Sequence, residues 1–204
     1  MGEAAGHLPT FLGYLTDLGD SALLVPASAL LAVYLFWLGS RRTAATWLSA
    51  LALCVALTVL AKVAFAACSS LAPGLGVRSP SGHTSMSATF YGCAALMFAG
   101  DAERRVRAGL LAAGTALVLV IAGTRVLLQA HSLAEVAIGL SIGVASVGWF
   151  AGRYFANPSR PVPWAPVVAG VVALVVLVHG WHWQFERLFY AMATFLRINF
   201  SVCA

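Results

Sequence analysis

Six apolar runs of near-uniform length restrict what this chain can become: Ser21–Ser40, Thr43–Cys68, His83–Gly100, Ala108–Leu128, Leu133–Gly152 and Trp164–Gly180. Each is close to the ~20 residues that an α-helix needs to cross the hydrocarbon core of a bilayer. None alternates with period 2, which argues against a membrane β-barrel. Charged residues make up 9% of the 204 positions and hydrophobic ones 61%, whereas a soluble domain carries roughly 25% charged residues. The solvent of this chain is therefore largely lipid. The expected fold is all-α, a polytopic membrane helical bundle of about six transmembrane helices forming one domain over residues 1–204. Within it, residues 1–20 read as an N-terminal interfacial segment and residues 184–204 as a C-terminal interfacial tail.

The net charge of +5 is unevenly distributed. Arg41 and Arg42 follow the first run, Arg104, Arg105 and Arg107 the third, and Arg153 and Arg160 the fifth. In a six-span arrangement all seven lie on one side, which the positive-inside rule makes cytoplasmic. Both termini and the loops after the second and fourth runs then face outward. No basic stripe interleaved with aromatics is present, so nucleic acid is not an expected partner. Met1–Asp20 has no Lys or Arg and places Leu8, Phe11, Leu12 and Leu15 at helical spacing, so it reads as an interfacial helix rather than a cleaved leader. Cys54, Cys68, Cys93 and Cys203 lack metal-site spacing and read as packing residues.

A few residues do not suit lipid. Lys62, the only lysine, falls near the end of the second run, and Glu135 near the start of the fifth. A charge within a span costs ~2.5–3.5 kcal/mol on insertion scales and by default marks a functional interior; snorkelling to the headgroups is the bland alternative for Lys62. His131 and Glu135, four apart, share one helical face. Gly139 and Gly143 continue that stripe as G-x-x-x-G, a pattern that admits close approach of another helix. Arg78-Ser79-Pro80-Ser81-Gly82-His83 sits where the third run begins. Proline suits the first helical turn. Free N–H groups and the positive end of the helix dipole make such a start an anion site, and Gly82 lets a ligand approach the backbone. Ser-Gly-His alone is a weak signal. A second His/Arg motif, Arg125, His131 and Glu135, at another outward helix boundary strengthens it.

Together these residues resemble the type 2 phosphatidic acid phosphatase superfamily, which shares its site with the vanadium haloperoxidases. The family pattern is a lysine, six residues and Arg-Pro; then Pro-Ser-Gly-His; then Ser-Arg, five residues, His, three residues and Asp. Pro80–His83 reproduces the second part completely. Thr124-Arg125, His131 and Glu135 match the third, with Thr for Ser and Glu for Asp. The first part is half present: Lys62 matches, but Ser69 and Ser70 stand where Arg-Pro belongs. The resemblance spans roughly Lys62 to Glu135. Arg78 is the candidate replacement for the missing first-motif arginine.

The resemblance implies an integral-membrane lipid phosphate phosphatase that needs no metal or cofactor. His131 is the implied nucleophile, forming a phosphohistidine, and Glu135 holds its other ring nitrogen. His83 protonates the leaving alkoxide and then activates water. Lys62, Arg78, Ser81, Gly82 and Arg125 are the implied phosphate ligands. Phosphatidate, phosphatidylglycerophosphate and undecaprenyl phosphate or diphosphate are the substrates this implies, met at the outer face of a bacterial cytoplasmic membrane. Two rival readings use the same residues: phosphotransfer to a lipid hydroxyl, and a non-catalytic lipid-binding protein with a degenerate site. His179 and His182, beside Trp181 and Trp183, read as part of an interfacial aromatic belt rather than a metal site; His7 has no supporting partner.

Overall fold

The computed structural model describes residues 11–38, 40–68, 76–100, 102–156, 163, 165–178, 189, 191–195 and 198. His7, the Ser69-Ser70 pair, Arg160, the His179–Trp183 cluster, most of the tail from Gln184 and Cys203 lie outside them. Among the described residues the chain is helical, with no strand: α1 (residues 11–17), α2 (Ser21–Leu38), α3 (Arg41–Ala67), α4 (Gly82–Ala99), α5 (Arg104–Leu127), α6 (Leu133–Ala156) and α7 (Ala165–Val178). This is the all-α membrane bundle expected. Phe11–Trp37, Arg41–Ala67, Arg104–Leu127 and Leu133–Ala156 are long and apolar enough to cross a bilayer, and α7 is a shorter apolar helix.

α4 is not among the four because it is the axis of the bundle. It packs most extensively on α5 and α6, and also on α3 and α2. Shielded from lipid on all sides, it carries Thr84, Ser85, Ser87 and Thr89 with no exposed surface. Three of these hydroxyls find partners inside: Thr84 donates to Ser81 Oγ, Thr58 and Ser85 share a hydrogen bond of 2.9 Å, and Thr89 donates to the Ser85 carbonyl, whereas Ser87 Oγ is buried without one among the described residues. Helices α3 and α5 begin at arginines and end near Lys62 and Arg125, whereas α4 and α6 begin beside His83 and Glu135 and run back. One end of the bundle thus gathers both motifs and the other gathers the arginines.

The arginine half is closed by a tight apolar core. Trp47 and Phe150 are fully buried, and Trp47 meets Phe90 and Phe150 edge-on at 5.3 and 6.4 Å between centroids. The Trp47 indole N–H, which needs an acceptor inside lipid, donates to the Ser28 carbonyl at 3.2 Å.

Gly139 and Gly143 of α6 face α4. A Cβ on Gly139 would lie 2.5 Å from the Ser81 carbonyl oxygen, and one on Gly143 would meet Ala88 and the Ser85 carbonyl. The expected close helix approach is therefore that of α6 on the first turns of α4, and it sets the two motifs side by side.

Candidate active site

Each motif residue is placed by local chain chemistry before any long-range contact acts. α5 ends in a Schellman turn: Gln129 has φ 54°, Gln129 N–H donates to the Val126 carbonyl at 2.9 Å, and Ala130 N–H donates to the Arg125 carbonyl at 3.0 Å. His131 N–H also bonds the Arg125 carbonyl, at 3.1 Å. The five-residue gap between Arg125 and His131 is thus the length of one helix C-cap, folded so that both side chains meet the same space. Glutamine in the left-handed region costs about 1 kcal/mol relative to glycine, a local strain tolerated beside the site.

α6 then starts with a capping box. Glu135 N–H donates to Ser132 Oγ at 3.2 Å, and Ser132 N–H donates to Glu135 Oε2 at 3.0 Å. The Ser132-x-x-Glu135 signature was available in the sequence and explains a carboxylate at this depth. The same Oε2 lies 3.0 Å from His131 Nδ1. The other oxygen, Oε1, accepts from the backbone N–H groups of Arg78 and Ser79 at 2.7 and 2.8 Å, and Ser81 N–H donates to the Glu135 carbonyl at 3.1 Å. Glu135 therefore joins both motifs.

Ser81 is the N-cap of α4, its Oγ accepting from the Thr84 hydroxyl at 3.0 Å and, more distantly, from the Thr84 N–H. Pro80 precedes the cap, two residues before the first turn where the sequence suggested it. Lys62 does not snorkel. It is 4% exposed and donates to Ser79 Oγ at 2.8 Å.

Lys62, Gly82, His83, Arg125 and His131 converge on one cavity of ≈ 430 Å³, whose wall continues through Val25, Val55, Val59 and Met86. Its polar end holds two cations and two imidazoles; its remaining wall is mostly apolar. Burial lowers the pKa of His131 below the ordinary histidine value, with Arg125 and Lys62 acting in the same direction and Glu135 opposing them. The ring is thereby kept neutral, with Nδ1 engaged by Glu135 and Nε2 left for chemistry.

Of the eight residues singled out by sequence, five line this cavity. Glu135 stands behind His131, and Ser81 serves as the cap. Arg78 contributes its backbone N–H to Glu135, while the residue itself is exposed and outside the cavity wall. Two residues of the N-terminal segment also reach the site. Thr16 Oγ1 accepts from Arg125 Nη1 at 3.0 Å, and Asp20 Oδ2 lies 3.3 Å from His83 Nε2. The N-cap position of Asp20 before α2 is a sequence signal; its partner across the bundle is not.

Cys54 and Cys93 are buried free thiols, as packing residues should be. Cys68, at the site end of α3, is instead disulfide-bonded, which corrects the reading of it as a packing residue.

The PAP2 superfamily model matches residues 64–159. A Klebsiella pneumoniae protein described as an uncharacterized 22.5 kDa protein in the cps region is 29% identical over 171 residues, covering 79% of each chain. No solved structure matches. The family match contains His83, Arg125, His131 and Glu135 and supports membership of the type 2 phosphatidic acid phosphatase superfamily, whose activity is of the phosphatase type.

Proposed function

We propose that this member of the superfamily is an integral-membrane lipid phosphate phosphatase that works through a phosphohistidine at the extracytoplasmic face of a bacterial cytoplasmic membrane. The observation that carries the reading is the composition of this cavity: Lys62, Arg125, His83 and His131 at one end, Val25, Val55, Val59 and Met86 along the wall. A phosphate suits the first set, and an acyl or isoprenyl chain the second. Phosphatidate, phosphatidylglycerophosphate and undecaprenyl phosphate or diphosphate are the substrates proposed.

In the first step His131 Nε2 attacks phosphorus in line, the phosphorus–oxygen bond to the lipid breaks, and His83 gives its proton to the leaving oxygen. Glu135 stabilises the imidazolium that develops on His131, by the logic of the acid in a serine-protease triad. Lys62, Arg125 and the Gly82 N–H oppose the charge on the equatorial oxygens. Water, deprotonated by His83, then takes the phosphoryl group, and the nitrogen–phosphorus bond breaks. Two observations support the outward placement: the arginines lie at the opposite end of the bundle, and the Cys68 disulfide at the site end fits an oxidising compartment.

The test is phosphate release from a panel of lipid phosphates, with His131→Ala as control. ³²P-labelled substrate quenched in alkaline detergent, where phosphohistidine survives, should label the parent and leave the variant unlabelled. A folded His131→Ala protein with full activity would overturn the assignment.

A further inference from the structure

The end of α1 and the turn into α2 lie outside the residues that match the family model, yet they touch both motifs. Thr16 accepts from Arg125, Asp20 faces His83, and Gly19 lies in the cavity wall. The packing leaves little freedom there: a Cβ on Gly19 would sit 2.7 Å from both Ile121 Cγ2 and Ser87 Oγ. Asp20 is 6% exposed. Its Oδ1 accepts from the Ala22 N–H at 2.7 Å, capping α2, which fixes the carboxylate and directs Oδ2 to His83 Nε2 at 3.3 Å.

We propose that Asp20 is the positioning residue for His83, a second carboxylate–imidazole pair that mirrors Glu135 and His131 and is supplied by the N-terminal segment. This rests on the phosphatase reading above. The geometry assigns each ring nitrogen. With Nε2–H held by the Asp20 carboxylate, Nδ1 is the atom that faces the reaction. In the first step the Nδ1 proton passes to the lipid alkoxide as its bond to phosphorus breaks and the bond from His131 Nε2 forms. His83 is left neutral, with Nε2–H still on Asp20 and a lone pair on Nδ1. In the second step that lone pair takes a proton from water as the water oxygen bonds to phosphorus and His131 is released. Asp20 never gives up or takes a proton; it holds one tautomer and offsets the positive charge whenever His83 carries two protons. A cap-only role for Asp20 would not require its second oxygen to meet a histidine of the cavity.

The two roles separate because asparagine caps helices as well as aspartate does. Asp20→Asn keeps an acceptor for the Ala22 N–H and removes the charge and the acceptor that face His83 Nε2. A general acid matters most where the leaving oxygen is a poor one, and little where it leaves unaided as a nitrophenolate. Measured as kcat/KM, which reports the first chemical step, Asp20→Asn should lose about 10- to 100-fold on an alkyl phosphate and less than about 3-fold on 4-nitrophenyl phosphate. Asp20→Ser, which retains a cap but not the reach, should show the same dependence on the leaving group. In a His83→Ala background Asp20→Asn should cost nothing further, since its route of action is gone. A parent inert on both substrates would overturn the phosphatase reading. An active parent in which both Asp20 variants lose equally on the two substrates, or lose nothing, overturns the role of Asp20 alone. So does a further loss from Asp20→Asn in the His83→Ala protein.

Discussion

Glu135 and His131 are joined at 3.0 Å through the carboxylate Oε2, while the opposite oxygen of Glu135 accepts the amides of Arg78 and Ser79 from a loop 57 and 56 residues earlier in the chain. One side chain thus orients the candidate nucleophile and clamps the loop that leads into α4. Four donors on one carboxylate leave no room for an N–H in its place.

Substitution of Glu135 should therefore harm fold and chemistry together. Glu135→Gln presents an amide NH₂ to two of those donors and removes the charge that stabilises the imidazolium. Turnover should fall by about 10²- to 10⁴-fold, and unfolding in detergent should become easier by about 1–3 kcal/mol. Glu135→Asp keeps the charge but is one methylene shorter, so its activity should fall between the parent and the Gln variant. A Gln variant with parental turnover and melting would reduce Glu135 to a helix cap.

Arg78 tests the replacement of the absent first-motif arginine. Its amide binds Glu135 and its residue is exposed, so Arg78→Ala preserves the contact that this structure uses. Activity on lipid phosphates should stay within about 3-fold of parental, below the 10-fold that one charge-assisted hydrogen bond to the transition state would carry. A fall of 10-fold or more would put the guanidinium on the phosphate.

The α6 seam gives a prediction about packing. Gly139 abuts the Ser81 carbonyl, and backbone cannot yield as a flexible side chain can. Gly139→Leu should force α6 from α4, separating Glu135 from the Ser79 loop, and should cost about 1–3 kcal/mol or more of stability. Gly148, whose Cβ would meet nothing within 4 Å, is the control, and Gly148→Leu should melt with the parent. Equal melting of both variants would refute the seam.

Protonation of His131 gives a pH prediction. Its pKa is lowered, chiefly by burial, so the ring loses its proton at lower pH than an ordinary histidine and is neutral and nucleophilic over a wider acidic range. Carbethoxylation of His131 by diethyl pyrocarbonate, which requires the neutral ring, should titrate with a midpoint below about 6.5. A midpoint above that value would mean that the Glu135 contact outweighs burial.

Orientation is checked with introduced cysteines. A membrane-impermeant maleimide should label a cysteine placed at Ala130 in intact cells, and one placed at Ala102 only after the membrane is opened. The reverse pattern would put the site in the cytoplasm.

Local chemistry is periodic, and the sequence carried it. The apolar runs marked the helices, the four-residue step paired His131 with Glu135, and Gly139 and Gly143 marked a face for close approach. Each depends only on residues within a turn or two, whose geometry the helix itself dictates. The Ser132–Glu135 capping box and the Asp20 N-cap were legible in the same way, though their second partners were not. The rest required the bundle. Glu135 reaching Ser79, Lys62 turning inward to Ser79, Thr16 meeting Arg125 and Asp20 meeting His83 join residues from 17 to 109 positions apart. Such pairings depend on how far each helix rotates and how closely it packs, and no spacing along one chain encodes that. The exposure of Arg78 belongs to the same class: its amide, not its charge, was drawn in once α6 settled against α4.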